Sequence, residues 1–170
     1  MNRNLPAIAN SNLQDANDFY KMAFQFQNLM MVYESAIKQI ETKLDILNKE
    51  SVVSRKRNPI ETVKSRIKTP DSIAAKLEAK NLPITFDSMM TNLDDIAGVR
   101  VICPYISDIY IVRDILLKQP DITLICQKDY IENPKESGYR SLHLVVEVPV
   151  YLSKTAHNVR VEIQLRTIAM

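Results

Sequence analysis

Glycine is almost absent from this chain: Gly98 and Gly138 are the only two among 170 residues. Two isolated glycines exclude a glycine-rich phosphate loop and a dinucleotide-binding fingerprint, since both need several glycines at fixed spacing so that backbone amides can approach phosphate. Any nucleotide bound here must be held by side chains. Cysteine and histidine are equally scarce, with two of each. Cys103, Cys126, His143 and His157 are too far apart to give a zinc-ligand pattern. Both cysteines sit in apolar runs, Val101-Ile102-Cys103 and Leu124-Ile125-Cys126, and read as buried free thiols. No stretch approaches a membrane span, and the amino terminus lacks the basic-then-apolar order of a secretory signal, so a cytoplasmic protein is expected.

What is present suits a globular domain. Hydrophobic residues make up 46% of the chain, enough for a single compact core at this length. The net charge of +2 hides an uneven distribution. Residues 52–80 carry eight Lys/Arg against three Asp/Glu, whereas residues 1–51 carry five against six, residues 81–127 three against six, and residues 128–170 six against five. A basic patch of +5 in a nearly neutral chain implies a polyanion, and its small size points to a nucleotide rather than a nucleic-acid track.

The first dozen residues are polar and read as frayed. From Phe19 the apolar positions Met22, Phe26, Leu29, Met30, Tyr33, Ile37, Ile40, Leu44 and Leu47 recur three or four apart, predicting a long amphipathic helix that covers a sheet, seals an oligomer, or does both. Val52 to Lys68 reads as extended around Asn58-Pro59. Thr69-Pro70-Asp71 marks a helix start, with a capping hydroxyl, a proline at the first helical position and an acid near the positive dipole end. That helix should end near Lys80, and Phe86 to Asn92 suits another short one. Asp94-Asp95 opens a buried strand to Cys103. Ser107 to Lys118 has helical spacing at Ile111, Ile115 and Leu116. Strands follow at 122–130, at 141–152 with Pro149 suggesting an edge or a bulge, and at 159–166. The late strands are joined by loops rather than helices, so the fold class is α+β with a mixed, largely antiparallel sheet flanked by helices.

Four groups of residues suggest chemistry. Arg160, Glu162, Gln164 and Arg166 alternate with Val161, Ile163 and Leu165, placing one acid among cations on a single strand face. Such a face suits a site holding both a metal and phosphates, because Mg²⁺ takes carboxylate oxygen and phosphate takes guanidinium. Arg66 and Lys68 leave the same side of an extended segment, while Ser72 and Lys76 share a face of the helix behind it, together forming a clamp for a triphosphate. Asp94 or Asp95 stands at the mouth of a buried strand, where a carboxylate can ligate Mg²⁺ and the other acid merely caps a turn. In the polar stretch 128–143, Tyr139 follows a glycine and can stack on a purine, and Lys128, Lys135, Arg140 and His143 can meet phosphate.

The run Arg66-x-Lys68-x-x-x-Ser72-x-x-x-Lys76 is followed by Asp95-Ile-Ala-Gly-Val-Arg100. Asp129-Tyr130-Ile131-x-x-Pro134-Lys135-x-x-Gly138-Tyr139-Arg140-Ser141-Leu142-His143 and Glu162-Ile163-Gln164-Leu165-Arg166-Thr167 complete the series. In this order the four motifs resemble the synthetase domain of the RelA/SpoT family, and in particular its stand-alone small alarmone synthetases. The resemblance implies a nucleotidyltransferase-like sheet. It also implies transfer of a diphosphate from ATP to the 3′-hydroxyl of GTP or GDP, giving pppGpp or ppGpp and AMP, with Mg²⁺ as cofactor. Under it, Arg66, Lys68, Ser72 and Lys76 bind ATP, and Lys128, Lys135, Tyr139, His143, Gln164 and Arg166 bind the acceptor. Asp95 and Glu162 would be metal ligands, and with Arg66 they would form the catalytic set; Glu162 as base or as second metal ligand stays open. Ser137 and Arg140 depart from the Asn and Gln common in long family members, which bears on acceptor preference.

The resemblance divides the chain into a helical region at 1–51 and a catalytic domain at 52–170. Relatives continue into further helices, so the chain reads as truncated after Met170. A homo-oligomer is implied, a tetramer being one form, and regulatory nucleotide or RNA is a further partner class; no membrane is involved. Two other readings compete. A nucleotidyltransferase would place two acids close together on one strand, which Asp95 and Glu162 do not match. A catalytically silent nucleotide or RNA sensor would use the same basic patch.

Overall fold

A computed structural model describes the backbone of residues 7–170 and the side chains of residues 13–170. The chain divides into two compact units, Met1–Met31 and Val32–Met170. Helix α1 (Ala7–Arg55) runs through the first and into the second. In the first unit Leu13, Phe19, Tyr20, Met22 and Phe24 are exposed. Residues 1–6 of the tail expected to fray lie outside the described residues, and from Ala7 the backbone is helical. The apolar stripe is buried only in the second unit, at Tyr33, Ile37, Ile40, Leu44 and Leu47. The helix also outlasts the expected break at 52, because nothing in Ser51-Val52-Val53-Ser54 interrupts it. It stops after Arg55, where Lys56 turns to a φ of 60° and Asn58-Pro59 follow. Among the described residues no helix is long and apolar enough to cross a membrane.

The second unit is built on a five-stranded sheet of order β1-β2-β5-β4-β3. Its strands are β1 (Thr62–Ile67), β2 (Ala97–Cys103), β3 (Thr123–Asp129), β4 (Leu142–Tyr151) and β5 (Ala156–Thr167). Only the β2–β5 pair is parallel; the other three pairs are antiparallel, giving the mixed, largely antiparallel α+β fold. Helices α2 (Pro70–Ala79), α3 (Phe86–Asn92) and α4 (Ile106–Leu117) lie between strands in sequence. Thr69 caps α2 by accepting from the Ser72 N–H, and Pro70 occupies its first turn, as the local chemistry requires.

Strict alternation makes the sheet two-sided. Val99, Val101, Leu144, Val146, Val148, Val161, Ile163 and Leu165 are buried on one face. On α4 the buried stripe is Ile109, Val112 and Leu116, so of the expected Ile111, Ile115 and Leu116 only the last is buried. α1 is tied to the sheet unit by Gln39 donating to the Pro149 carbonyl at 3.1 Å and by the Asn48 side-chain oxygen accepting from the Ile60 N–H at 3.2 Å. Pro149 sits in regular pairing with Asn158, beyond the last β3–β4 pair at Thr123 and Glu147, so β4 is locally an edge there. The bulge lies instead in β3, between Leu124 and Cys126. It turns Leu124 to the same side as Val146, where strict alternation would have put it on the side of Cys126 and Lys128. Cys103 is buried, with burial pushing its thiol up to about 12, but Cys126 on this edge strand is only half-buried. Both thiols are free.

Candidate active site

The second face of the sheet is polar, and its register collects charge. Directly opposed residues in neighbouring strands share a face, so one row runs Lys64, Arg100, Gln164, His143, Lys128 across all five strands. The next row runs Arg66, Gly98, Glu162, Val145, Cys126. Arg66, Lys64, Arg100, Gln164 and Glu162 line a cavity of about 160 Å³ over β1, β2 and β5. Gly98 floors it, and a Cβ there would meet the Arg66 side chain at 3.7 Å, narrowing the space between Arg66 and Glu162.

Asp95 stands just before β2 and receives two ammonium groups on one oxygen. Lys68 Nζ, just beyond β1, is 2.8 Å from Asp95 Oδ2, and Lys76 Nζ, from α2, is 2.6 Å away. Burial pushes the Asp95 carboxyl up, but the two lysines outweigh it and hold the group below the ordinary aspartate value. Asp95 Oδ1 is buried and has no hydrogen-bond partner among the described residues. A shielded carboxylate oxygen without a protein donor suits a hard divalent cation. Among the described residues no three acids, histidines or cysteines converge on one point. Asp94 differs from its neighbour: it accepts from Arg160 at 2.8 Å and holds the turn.

Glu162 stands in the row of Arg66 and Gly98. His143 Nδ1 lies 3.0 Å from Glu162 Oε1, and the Tyr139 hydroxyl lies 2.9 Å from His143 Nε2. With Nδ1 donating to the carboxylate, a neutral ring accepts the tyrosine proton at Nε2, and the chain Tyr139, His143, Glu162 is fully satisfied. The His143 hydrogen bond holds Glu162 below its usual value, against burial and against the negative charge of Asp95, which lies near enough to act on it. Tyr139, Tyr130 and His143 pack edge to face with centroid separations of 5.3–6.1 Å. Lys135 lies over the rings of Tyr130 and Tyr139 at 4.5 and 5.3 Å, and Arg166 is 5.9 Å from the Tyr139 ring. Gly138, at a φ of 79°, makes the turn that presents this group.

The structure thus gathers Arg66, Lys68, Lys76, Asp95, Lys128, Lys135, Tyr139, His143, Glu162, Gln164 and Arg166 around one sheet face. Ser72 is the exception, being exposed and joined to the Thr69 hydroxyl at 2.9 Å in the cap of α2. Arg140, expected among the phosphate cations, reaches back to the Ile131 carbonyl at 3.3 Å and braces its own loop. Sequence reasoning overlooked Lys64 and Arg100 as lining residues, although the two-residue spacing of Lys64 and Arg66 carried the signal. Tyr130 was equally overlooked, since an edge-to-face cluster leaves no periodic trace.

Residues 65–170 match the sequence pattern of the region found in RelA / SpoT proteins. Over 154 residues the chain is 44% identical to GTP pyrophosphokinase YwaC of Bacillus subtilis (strain 168), covering 91% of this chain and 73% of that protein. It is 37% identical over 146 residues to GTP pyrophosphokinase YjbM of the same organism, covering 86% of this chain and 68% of that one. Among solved structures, small alarmone synthetase 1 from Bacillus subtilis bound to its product pppGpp matches with a TM-score of 0.78 at 37% identity, covering 85% of this chain and 73% of that chain.

Proposed function

The chain belongs to the RelA/SpoT family, and from that premise we propose that residues 52–170 work as a small GTP pyrophosphokinase, moving the terminal diphosphate of ATP onto the 3′-hydroxyl of GTP or GDP. The observation that carries the reading is the pairing of two differently held acids on one sheet face. Asp95 is clamped by Lys68 and Lys76, Glu162 is braced by His143, and an arginine-lined cavity lies on one side with a tyrosine cluster on the other.

ATP would enter over β1 and β2, with Arg66, Lys68 and Lys76 meeting its phosphates and Lys64 and Arg100 completing the cationic wall. Ser72, held in the α2 cap, would stand at the rim of this donor side. The acceptor would stack its guanine on Tyr139, with Lys128, Lys135, His143, Gln164 and Arg166 meeting its phosphates and ribose. The 3′-oxygen attacks the β-phosphorus of ATP as the bond from that phosphorus to the α-phosphate's bridging oxygen breaks, and AMP leaves with that oxygen. Glu162, ionised across the neutral range, holds the 3′-hydroxyl through a hydrogen bond and takes its proton as the new bond forms. A depressed pKa makes Glu162 a weak base, but a loose phosphoryl-transfer transition state asks more for charge neutralisation than for base strength. Asp95 Oδ1, with Glu162, would hold a Mg²⁺ ion, which when bound supplies Lewis-acid neutralisation of the nonbridging oxygens. The exposed apolar residues of the first unit support self-association.

Incubation with ATP, GTP and Mg²⁺ tests the reading. Equimolar AMP and guanosine pentaphosphate are expected; release of inorganic pyrophosphate from ATP would indicate nucleotidyl transfer instead.

A further inference from the structure

The loop between β3 and β4 carries Tyr130, Lys135 and Tyr139, yet its first turn is set from the opposite side of the sheet. Asp129, the last residue of β3, is paired with the buried Leu142, one position on from the Lys128–His143 pair of the polar face. Its carboxylate therefore leaves on the helix-covered side. There both oxygens are used. Oδ1 accepts from the backbone N–H groups of Ile131 at 2.9 Å and Glu132 at 3.1 Å, and Oδ2 accepts from the Tyr110 hydroxyl of α4 at 2.9 Å. The Arg113 guanidinium lies over the Tyr110 ring at 5.0 Å. Burial and the Asp129 contact push the Tyr110 phenol up to about 12, so its hydroxyl remains a donor.

The rest of the loop hangs from that turn. Ile131 is buried and acts as a plug, the Asn133 N–H closes onto the Asp129 carbonyl at 3.2 Å, and Tyr130 N–H bonds the Ser141 carbonyl at 3.0 Å across the stem. Further out, the Lys135 N–H reaches the Tyr139 carbonyl at 3.2 Å. A displacement of the 129–132 turn is therefore passed to the residues over the polar face.

We propose that Tyr110 is a positioning residue for the acceptor nucleotide: through Asp129 it ties α4 to the first turn of the loop, and so fixes where Tyr130, Lys135 and Tyr139 stand. The inference rests on the reading of the Tyr139 side as the acceptor site. Without the Tyr110 hydroxyl the carboxylate loses its tie to α4, and the two backbone N–H groups are left with an acceptor held from the loop side alone. The loop then samples more arrangements, and the acceptor must supply the ordering on binding, which weakens its affinity while leaving the chemical step alone.

Steady-state kinetics of the full chain, varying ATP and GTP independently, tests this. Tyr110→Phe removes only the hydroxyl and should raise the GTP KM about ten-fold, with the ATP KM and kcat within about two-fold of the parent. Asp129→Ala should show the same split more strongly, and adding Tyr110→Phe to it should change little, because both act through one carboxylate. Asp129→Asn keeps an oxygen for the two backbone groups and an amide for the phenol oxygen, and should restore most of the acceptor affinity. A GTP KM unchanged by Tyr110→Phe but raised by Tyr139→Ala would overturn the strut and leave the acceptor site standing. A GTP KM unchanged by Tyr139→Ala would overturn the acceptor reading and the strut with it. Equal losses in kcat and both KM values for Tyr110→Phe would reduce Tyr110 to a folding role and also overturn the proposal.

Discussion

The two ends of the polar sheet face hold their charge by different means. On the β1–β2 side the groups sit on or beside regular elements: Lys64 and Arg66 on a strand, Lys68 just past its end, and Lys76 in the last turn of a capped helix. The ammonium groups of Lys68 and Lys76 converge on Asp95. On the β3–β4 side Tyr130, Lys135 and Tyr139 sit on a loop beside His143 of β4, and three rings and one lysine pack on one another. The first end is organised by electrostatics, suited to a triphosphate whose charge dominates its recognition. The second is organised by aromatic packing, suited to a base with a face to stack. Glu162 stands where they meet, braced by His143 from the aromatic side and lining the cavity on the cationic side.

The largest blow to this division should come from Glu162→Gln, which removes charge without volume at the meeting point. Turnover should fall about 10³-fold, in the range for losing a group that acts in the transition state, while calorimetric binding of each nucleotide persists. Unchanged turnover would make the two ends independent. Asp95→Asn comes next and should strike the cationic end alone. It removes the proposed metal ligand and the shared partner of Lys68 and Lys76, so turnover should drop about 10²-fold with a higher Mg²⁺ requirement, and chelation should abolish transfer by the parent while leaving GTP binding in place. Tyr139→Ala should strike the aromatic end alone, raising the acceptor KM by the roughly 1–3 kcal/mol of a lost stacking contact and sparing the ATP KM. Equal loss for both nucleotides would erase the distinction.

How much of each end could be read in the sequence follows from the same difference. Period-two spacing and the Thr69-Pro70 cap put Arg66 into a strand and Lys76 into a helix correctly, with Lys68 just past the strand's end, because local chemistry alone decides them. The alternation in β5 likewise gave its two faces, buried at Val161, Ile163 and Leu165. The meeting of Asp95 with those lysines was beyond local reasoning, since it depends on β1 pairing antiparallel to β2. On the loop, Tyr139 stood out only through its motif, while Tyr130 and the Asp129–Tyr110 contact required three elements to be assembled. The bulge in β3 was equally illegible: it depends on which face β4 presents, and the sequence cue pointed to Pro149. The burial of the α1 stripe from Val32 onward, but not at Met22, also follows from tertiary packing rather than from helical period.

A smaller effect concerns acid. Both Glu162 and Asp95 are held below their ordinary values of 4.5 and 3.8, so their partnered forms stabilise the fold fully above those values, and the contribution is lost as pH falls through the lower folded-state values. Melting temperature followed from pH 6 to pH 2 should therefore decline more gently in Glu162→Gln than in the parent over the acid limb, a difference of order a few degrees. Parallel profiles would mean that the His143–Glu162 bond contributes nothing to folding.

The central claim is spatial: donor and acceptor bind at opposite ends of one sheet face and meet at Glu162. A crystal structure of Glu162→Gln with Mg²⁺, GTP and an ATP analogue that cannot be cleaved between its α- and β-phosphates tests it most directly. The analogue's phosphates are expected against Arg66, Lys68 and Lys76, guanine on the Tyr139 ring, and the 3′-oxygen in line with the β-phosphorus beside residue 162. Guanine seated over β1, or a 3′-oxygen turned away from residue 162, would contradict it.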